Sequence, residues 1–269
     1  MNKEEKLDYL VKSLTEENHG IPGIKLSENN FTKRKLLRGL MNLRLPGKID
    51  PEFLKIQDEF LSNETQEKGI IDGNSLTTIN KMFPCSKIHN GDRIVLWQGD
   101  ITRLKVDGIV NAANKRMLGC FTPCHDCIDN VIHSAAGIQL REECNELMKK
   151  QGFEEPTGKA KITKAYNLPS KAVIHTVGPI VEGCVTKLEE IQLWSCYEES
   201  LKSAIDHHLT TIAFCCISTG EFHFPNQLAA EIAVHTIDNF LDSHKEIKRV
   251  IIDVFKKTDR DIYQKIFEK

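Results

Sequence analysis

Apolar residues recur at helical spacing up to about residue 80, and beyond residue 90 they gather into short runs separated by amphipathic stretches. In the first part Leu7, Leu10, Val11 and Leu14 form one stripe, and Leu36, Leu37, Leu40 and Met41 form another. Asp50-Pro51 reads as a helix start with proline at the first helical position, followed by Phe53, Leu54, Ile56, Phe60 and Leu61. The charged segment Ser62–Gly69 reads as a turn or linker. Strand candidates follow at Arg93–Gln98, Val106–Asn111, Lys161–Asn167, Ala172–Val177, Thr211–Ile217 and Arg249–Phe255. Helical patterns cover Ile128–Lys149, Glu189–His208, Gln227–Leu241 and Asp259–Phe267. Thr211–Ile217 is almost wholly apolar or β-branched, as a strand covered on both faces must be.

Strands that alternate with helices predict an α/β fold, a mostly parallel sheet between helix layers with ligands at the carboxyl ends of the strands. The domain division expected is a helical extension over residues 1–80 and an α/β domain over 81–269. The first 80 residues carry no obvious chemistry and read as an appendage packed on the main domain.

Composition narrows the function classes. At 269 residues the chain has room for one large domain, or one domain and an appendage. A net charge of −2 and the lack of an aromatic-basic stripe argue against a nucleic-acid-binding module. No apolar run approaches the ~20 residues that span a bilayer. The start, MNKEEKLDYLVKSLTEEN, is charged and amphipathic and lacks the apolar core of a secretion signal, so cytoplasmic residence is the expectation. In a reducing compartment nine cysteines are packed small hydrophobes or metal ligands rather than disulfides. Cys144, Cys184, Cys196, Cys215 and Cys216 sit in apolar or helical contexts and read as packing residues; Cys120, Cys124 and Cys127 differ because His125 stands among them.

Candidate chemistry lies where strands end. Gln98–Thr102, Asn111–Asp129 and Ser218–Pro225 are polar or glycine-bearing exits. The last leads into a helix and suits a diphosphate, though Ser218-Thr219-Gly220 alone also fits a bare turn. Asp100 fits a turn cap or an acceptor for a base amino group. Cys120-x4-His125-x-Cys127 offers soft donors to one ion, with Cys124 ranked below them because adjacent side chains point apart. Three protein ligands leave a position for water or substrate, against the alternative of a chance polar cluster. Asp129 is a first-turn acid, or it faces the ligand as a base or ribose anchor. His133, His175 and His235 read as packed, satisfied histidines.

The ordered set Gly99–Thr102, Val106–Asn114 (VDGIVNAAN), Asp129–Gly137 (DNVIHSAAG), Gly158–Ala160, His175–Pro179 and Ile217–Gly220 with Pro225 resembles a macrodomain, the ADP-ribose-binding α/β fold, over about residues 90–269. That resemblance implies a mixed, mostly parallel central sheet between helix layers. Common hydrolytic macrodomains carry a glycine run just before the position of Asp129, where this chain has Gly119–Cys127 (GCFTPCHDC). In this it is similar to the zinc-dependent macrodomains of bacteria and fungi, which have an N-terminal helical extension and remove mono-ADP-ribose from proteins. In some bacteria these accompany a sirtuin-type ADP-ribosyltransferase, a lipoate-ligase-like protein and a lipoylated carrier protein.

The resemblance implies one Zn2+ per chain on Cys120, His125 and Cys127, and a hydrolase acting on mono-ADP-ribosylated protein. Asp100 would meet the adenine amino group, Ile101 would make a neighbouring backbone contact, and Phe255 would flank the base. Asn114 would lie by the distal ribose, and the amides of Ser218, Thr219, Gly220, Glu221 and Phe222 would hold the diphosphate. Asp129 and Asn114 are the implied catalytic residues. The ion would polarise a ribose hydroxyl or an attacking water while Asp129 orients the ribose or takes the proton, and the bond cut would join the anomeric carbon to a side-chain carboxylate. His223 departs from the glycine usual in that loop. Two rivals share the pocket: a non-catalytic ADP-ribose reader with a structural zinc, and a hydrolase of a small O-acylated ADP-ribose metabolite.

Overall fold

A computed structural model describes residues 1–17 and 30–269. Helices α1 (Lys3–Glu17), α2 (Asn30–Leu43) and α3 (Pro51–Lys68) turn their apolar stripes toward one another. Leu7, Leu10, Leu14, Leu37, Leu40, Phe53 and Phe60 form a core that also takes in Ile138 from the α/β part. The extension thus packs on the main body through shared apolar burial.

The start of α3 follows the sequence signal: the Asp50 side chain accepts from the Glu52 N–H at 3.1 Å, with Pro51 at the first helical position. Its end does not. Ser62–Gly69 is no linker, because α3 continues to Lys68 and stops at Gly69, whose φ is 81°. The charges there form a polar helix face with partners across α2, since Arg34 Nε and Nη2 each donate to Glu64 at 2.8 Å.

Strand β1 (Ile71–Asp72) pairs in parallel with β3 (Leu104–Lys105), and a short helix, α4 (Ile79–Met82), lies between β1 and the main sheet in the chain. The main sheet has β2 (Ile94–Gln98), β4 (Gly108–Ala113), β5 (Ala160–Lys164), β6 (Ala172–Val177), β7 (Thr211–Phe214) and β8 (Arg249–Val254) in the order β2-β8-β7-β4-β6-β5. Every pairing is parallel except β5 with β6. Helices α5 (Ile128–Ala136), α6 (Ile138–Gln151), α7 (Lys187–Asp206), α8 (Asn226–Ser243) and α9 (Lys257–Phe267) complete the architecture, an α/β fold with the N-terminal helices added. Among the described residues no helix is long and apolar enough to cross a membrane.

Several boundaries move for identifiable reasons. The expected Ile128–Lys149 helix breaks at Gly137 (φ 104°), where the Ile138 N–H leaves the helical ladder and donates to Gln57 Oε1 of α3 at 3.0 Å. Thr211–Ile217 is extended only to Phe214, after which the chain turns into the loop that begins at Ser218. Cys184 and His235, expected to be packed, are both exposed; His235 pairs with Asn239 on the outer face of α8 at 2.9 Å.

Asp107 ties together the starts of three strands. Its Oδ2 accepts from the Thr210 N–H (2.8 Å), the Thr210 hydroxyl (2.8 Å) and the Thr211 N–H (3.1 Å), while Lys171 Nζ lies 2.6 Å from Oδ1. Burial alone would raise its pKa, but the Lys171 ammonium and the threonine donors outweigh it and hold the carboxyl below its usual value. A depressed folded-state pKa gives stability that is complete above the unfolded value, roughly pH 4, and is lost as pH falls through the lower folded value. Asp107→Ala is therefore expected to cost about 2 kcal/mol at pH 7. Urea unfolding should show the gap from wild type closing below roughly pH 4.

Candidate active site

The exit of β4 brings the first functional side chains together. Asn111, fully buried on β4, donates through Nδ2 to Asp129 Oδ1 at 2.8 Å. Asn114, just past the strand, donates to Asp129 Oδ2 and to the Gly119 carbonyl, each at 3.1 Å. The Arg116 N–H, in turn, donates to Asn114 Oδ1 at 3.0 Å and fixes that amide. Asp129 sits in the first turn of α5 and is buried. Burial pushes its pKa up to about 6, with the Asn111 amide, the Arg141 guanidinium and the Asn114 amide pulling the other way. A carboxyl group titrating there can hold or release a proton near neutrality.

His133 lies one turn along, its Nε2 3.5 Å from Asp129 Oδ1. It is packed as expected but not satisfied, since neither ring nitrogen has a hydrogen-bond partner among the described residues. Burial, followed by the His175 and Arg141 charges, holds it well below the usual imidazole pKa and so neutral. His175 is the satisfied one, with Asn111 Nδ2 at 3.1 Å and the Thr163 hydroxyl at 2.9 Å, and burial lowers its pKa to about 3.

Between β4 and α5 the chain folds back so that the donor atoms of Cys120, His125 and Cys127 lie within 4.8 Å of one another. Cys120 Sγ is 3.7 Å from His125 Nδ1. A thiolate at ~2.3 Å and an imidazole at ~2.0 Å from one tetrahedral ion stand ~3.5 Å apart, so this pair already has ligand spacing. Burial pushes the Cys127 thiol up to about 12, with Cys120 and Asp129 adding to the shift. A divalent cation reverses that balance because thiolates ligate as anions, and the donor set fits zinc. Cys124 Sγ points instead to the Lys35 carbonyl of α2 at 3.2 Å. Glu221 Oε1 lies 3.6 Å from His125 Nε2, on the ring's other nitrogen, an arrangement that orients metal-binding imidazoles.

Glu221 belongs to the loop Ser218–Pro225, which leads into α8. Ser218 (φ 64°) and His223 (φ 55°) both occupy the left-handed region, so His223 takes a conformation that glycine adopts without strain. The Phe224 N–H donates to the Ser218 carbonyl at 3.0 Å and closes the loop. Among the described residues the N–H groups of Thr219, Gly220, Glu221 and Phe222 donate to nothing, and the buried Ser218 hydroxyl is also unpartnered. A row of free amides ahead of a helix N-terminus is an anion cradle.

At the far end of the sheet Asp100 uses Oδ1 to cap its own turn, accepting from the Thr102 N–H (3.0 Å) and hydroxyl (2.6 Å). Ile101 is buried in the core, and Phe255 beyond β8 is 77% exposed. The structure therefore brings Asn114, Asp129, Cys120, His125, Cys127 and Glu221 into one cluster and leaves Asp100 and Phe255 at other strand ends of the same sheet edge. The sequence pattern gives no individual role to Asn111 or to Arg141, whose Nε donates to the Leu118 carbonyl at 2.6 Å. Asn111 has a signal, a carboxamide in an apolar run; Arg141 has none, being one charge on an amphipathic helix.

A family profile described as Macro domain matches residues 110–233. A Treponema medium protein named Protein-ADP-ribose hydrolase is 44% identical over 266 residues, 99% of each chain. A Staphylococcus aureus (strain MSSA476) protein of the same name is 41% identical over 265 residues, 98% of this chain and 96% of its own. A Trypanosoma brucei macrodomain solved in complex with ADP-ribose superposes with a TM-score of 0.64 at 28% identity, covering 89% of this chain and 96% of that one.

Gly119 packs its backbone on the His133 ring: a Cβ there would stand 2.9 Å from His133 Cγ, at a φ of 77°. Gly152 has a similar φ of 82° with nothing within 4 Å of an added Cβ. Gly152→Ala is expected to cost about 1 kcal/mol from backbone strain alone. Gly119→Ala should cost about 1–3 kcal/mol more, because ring and loop must part. Paired urea titrations measure the difference.

Proposed function

The chain belongs to the macrodomain family, and from that premise we propose that it is a zinc-dependent protein-ADP-ribose hydrolase. The observation that carries this reading is the buried Asp129 carboxyl, held by Asn111 and Asn114 beside the Cys120–His125–Cys127 donor set. A reader of ADP-ribose needs the anion cradle. It does not need an acid raised to about 6 at the edge of a three-donor cluster.

In this reading the free amides of Thr219–Phe222 hold the diphosphate, and Asp100 accepts from the adenine amino group with its remaining carboxylate oxygen. Asn114 lies by the distal ribose. Asn111 and Asn114 fix both oxygens of Asp129, so that one of them faces the reacting end of the ligand. Asp129 orients the ribose or takes a proton from the attacking water, as that water's oxygen bonds the anomeric carbon and the side-chain carboxylate leaves. The bond broken is a carboxylate ester in the form we favour. Cys120, His125 and Cys127 would hold a zinc ion, which would supply Lewis acidity when bound. Glu221 keeps the His125 ring turned toward its partners.

The test follows turnover of a mono-ADP-ribosylated protein, a lipoylated carrier modified by a sirtuin-type ADP-ribosyltransferase being one such substrate. Zinc is stripped and restored while ADP-ribose affinity is measured by calorimetry. Turnover is expected to vanish with the metal and to return with it, with affinity changed by no more than about threefold. Asp129→Ala should lower kcat by about 10²–10⁴-fold and leave binding largely intact. Equal turnover in stripped and restored protein would remove the metal from the chemistry. Absence of turnover in both states would leave a reader.

A further inference from the structure

The helical extension reaches the donor loop directly. Arg38, on α2, donates through Nη2 to the His125 carbonyl at 2.6 Å, and through Nε (3.1 Å) and Nη2 (2.9 Å) to Asn130 Oδ1 at the start of α5. One turn further along α2, Asn42 Oδ1 accepts from the Cys124 N–H at 2.9 Å, and its Nδ2 donates to the Ser134 hydroxyl at 3.0 Å. Asn42 is only 1% exposed. The α2 backbone passes close to the loop at Gly39, where an added Cβ would make ordinary contact with Pro123 Cβ (3.6 Å) and Cys124 Sγ (3.7 Å).

These bonds fall on the two backbone groups that flank the imidazole ligand: the N–H of the residue before it and its own carbonyl. Cys124 has a φ of 55°, a conformation that a non-glycine residue keeps only where its surroundings hold it. The loop makes few bonds to itself, among them the His125 N–H to the Thr122 carbonyl at 3.2 Å. From the other side, Arg141 of α6 bonds the Leu118 carbonyl at the head of the loop. Its Nη1 donates to the Met41, Asn42 and Arg44 carbonyls at the carboxyl end of α2, where unpaired carbonyls need donors.

We propose that Arg38 and Asn42 are positioning residues for the metal site, so that the extension is a structural part of the donor set's geometry rather than an appendage. The proposal rests on the zinc reading above. Three side chains brought together by a loop bind an ion tightly only if the loop holds them near their bound positions beforehand, and loss of such outer partners typically weakens metal binding 10–100-fold.

The test measures zinc affinity by competition with a chromophoric chelator in the full chain, together with amide exchange across residues 118–127 and ADP-ribose affinity. Arg38→Ala and Asn42→Ala are expected to weaken zinc about 10–100-fold, and to speed exchange at Cys124 and His125, with ADP-ribose affinity within about twofold of wild type. Arg38→Lys keeps the charge but loses the fork, and should fall between. Arg34→Ala, which breaks the Glu64 pair one turn earlier on α2, controls for loosening of the helix and should leave zinc affinity unchanged. Wild-type zinc affinity in folded Arg38→Ala protein would overturn the proposal, and so would equal weakening by Arg34→Ala. If Asn42→Ala does not fold, the two Arg38 variants decide. A wild-type chain that takes up no zinc would instead sink the metal reading on which the proposal stands.

Discussion

A carboxylate taken out of water must be satisfied by groups that can reach it, and Asp129 imposes that demand on everything around it. Its two oxygens are met by two amides from one strand and its exit, Asn111 and Asn114. Asn111 is fixed further by His175 on the adjacent strand β6, its register partner across the sheet. The parallel pairing of β4 with β6 therefore sets the position of the carboxylate, and α5 delivers it. Were the strands to slip by one residue, Asn111 would turn to the opposite face and the acid would be left unpaired.

The same acid sits between two loops with different tasks. The Ser218–Pro225 loop offers free amides, and the Gly119–Cys127 loop offers soft donors. They touch through Glu221 and His125 at 3.6 Å. That contact links the free-amide loop with the orientation of the His125 ring, so the two loops have a physical route by which to influence each other. Neither loop is regular structure. Their shapes rest on positive-φ residues, Cys124 and Gly119 in one and Ser218 and His223 in the other, and the three that are not glycine need external restraint. The restraint comes from helices: α2 and α6 for the donor loop, and α8 with the chain after β6 for the amide loop, where the Val181 N–H donates to the Phe222 carbonyl at 2.9 Å.

What could be read from the sequence follows from which interactions are local. Helix stripes such as Leu7–Leu14, the Asp50-Pro51 start and the six main strands are short-range patterns, and they appear near their expected places. Ser62–Gly69 misled because its charges are paired across to α2, a contact that no local window contains. The break at Gly137 depends on Gln57, which bonds Ile138 from 81 residues away in the chain. In the site, motif order was enough to gather Asn114, Asp129 and the donor residues. Arg38 and Asn42 were invisible because they look like ordinary polar positions on an amphipathic helix and act only once that helix docks.

His133 shows what the arrangement costs. A buried imidazole with neither nitrogen bonded among the described residues costs about 1–3 kcal/mol relative to a satisfied one. The ring is nonetheless wedged between the Gly119 backbone and the Asp129 carboxylate. There it excludes water from the acid's inner side and props the head of the donor loop. A smaller apolar residue would relieve the unsatisfied nitrogens but open a gap beneath both. The local loss of stability is therefore tied to the geometry that keeps Asp129 dry and its pKa high. Strain of this kind persists only where the surrounding structure over-determines it, and here the sheet, α5 and α6 do so together.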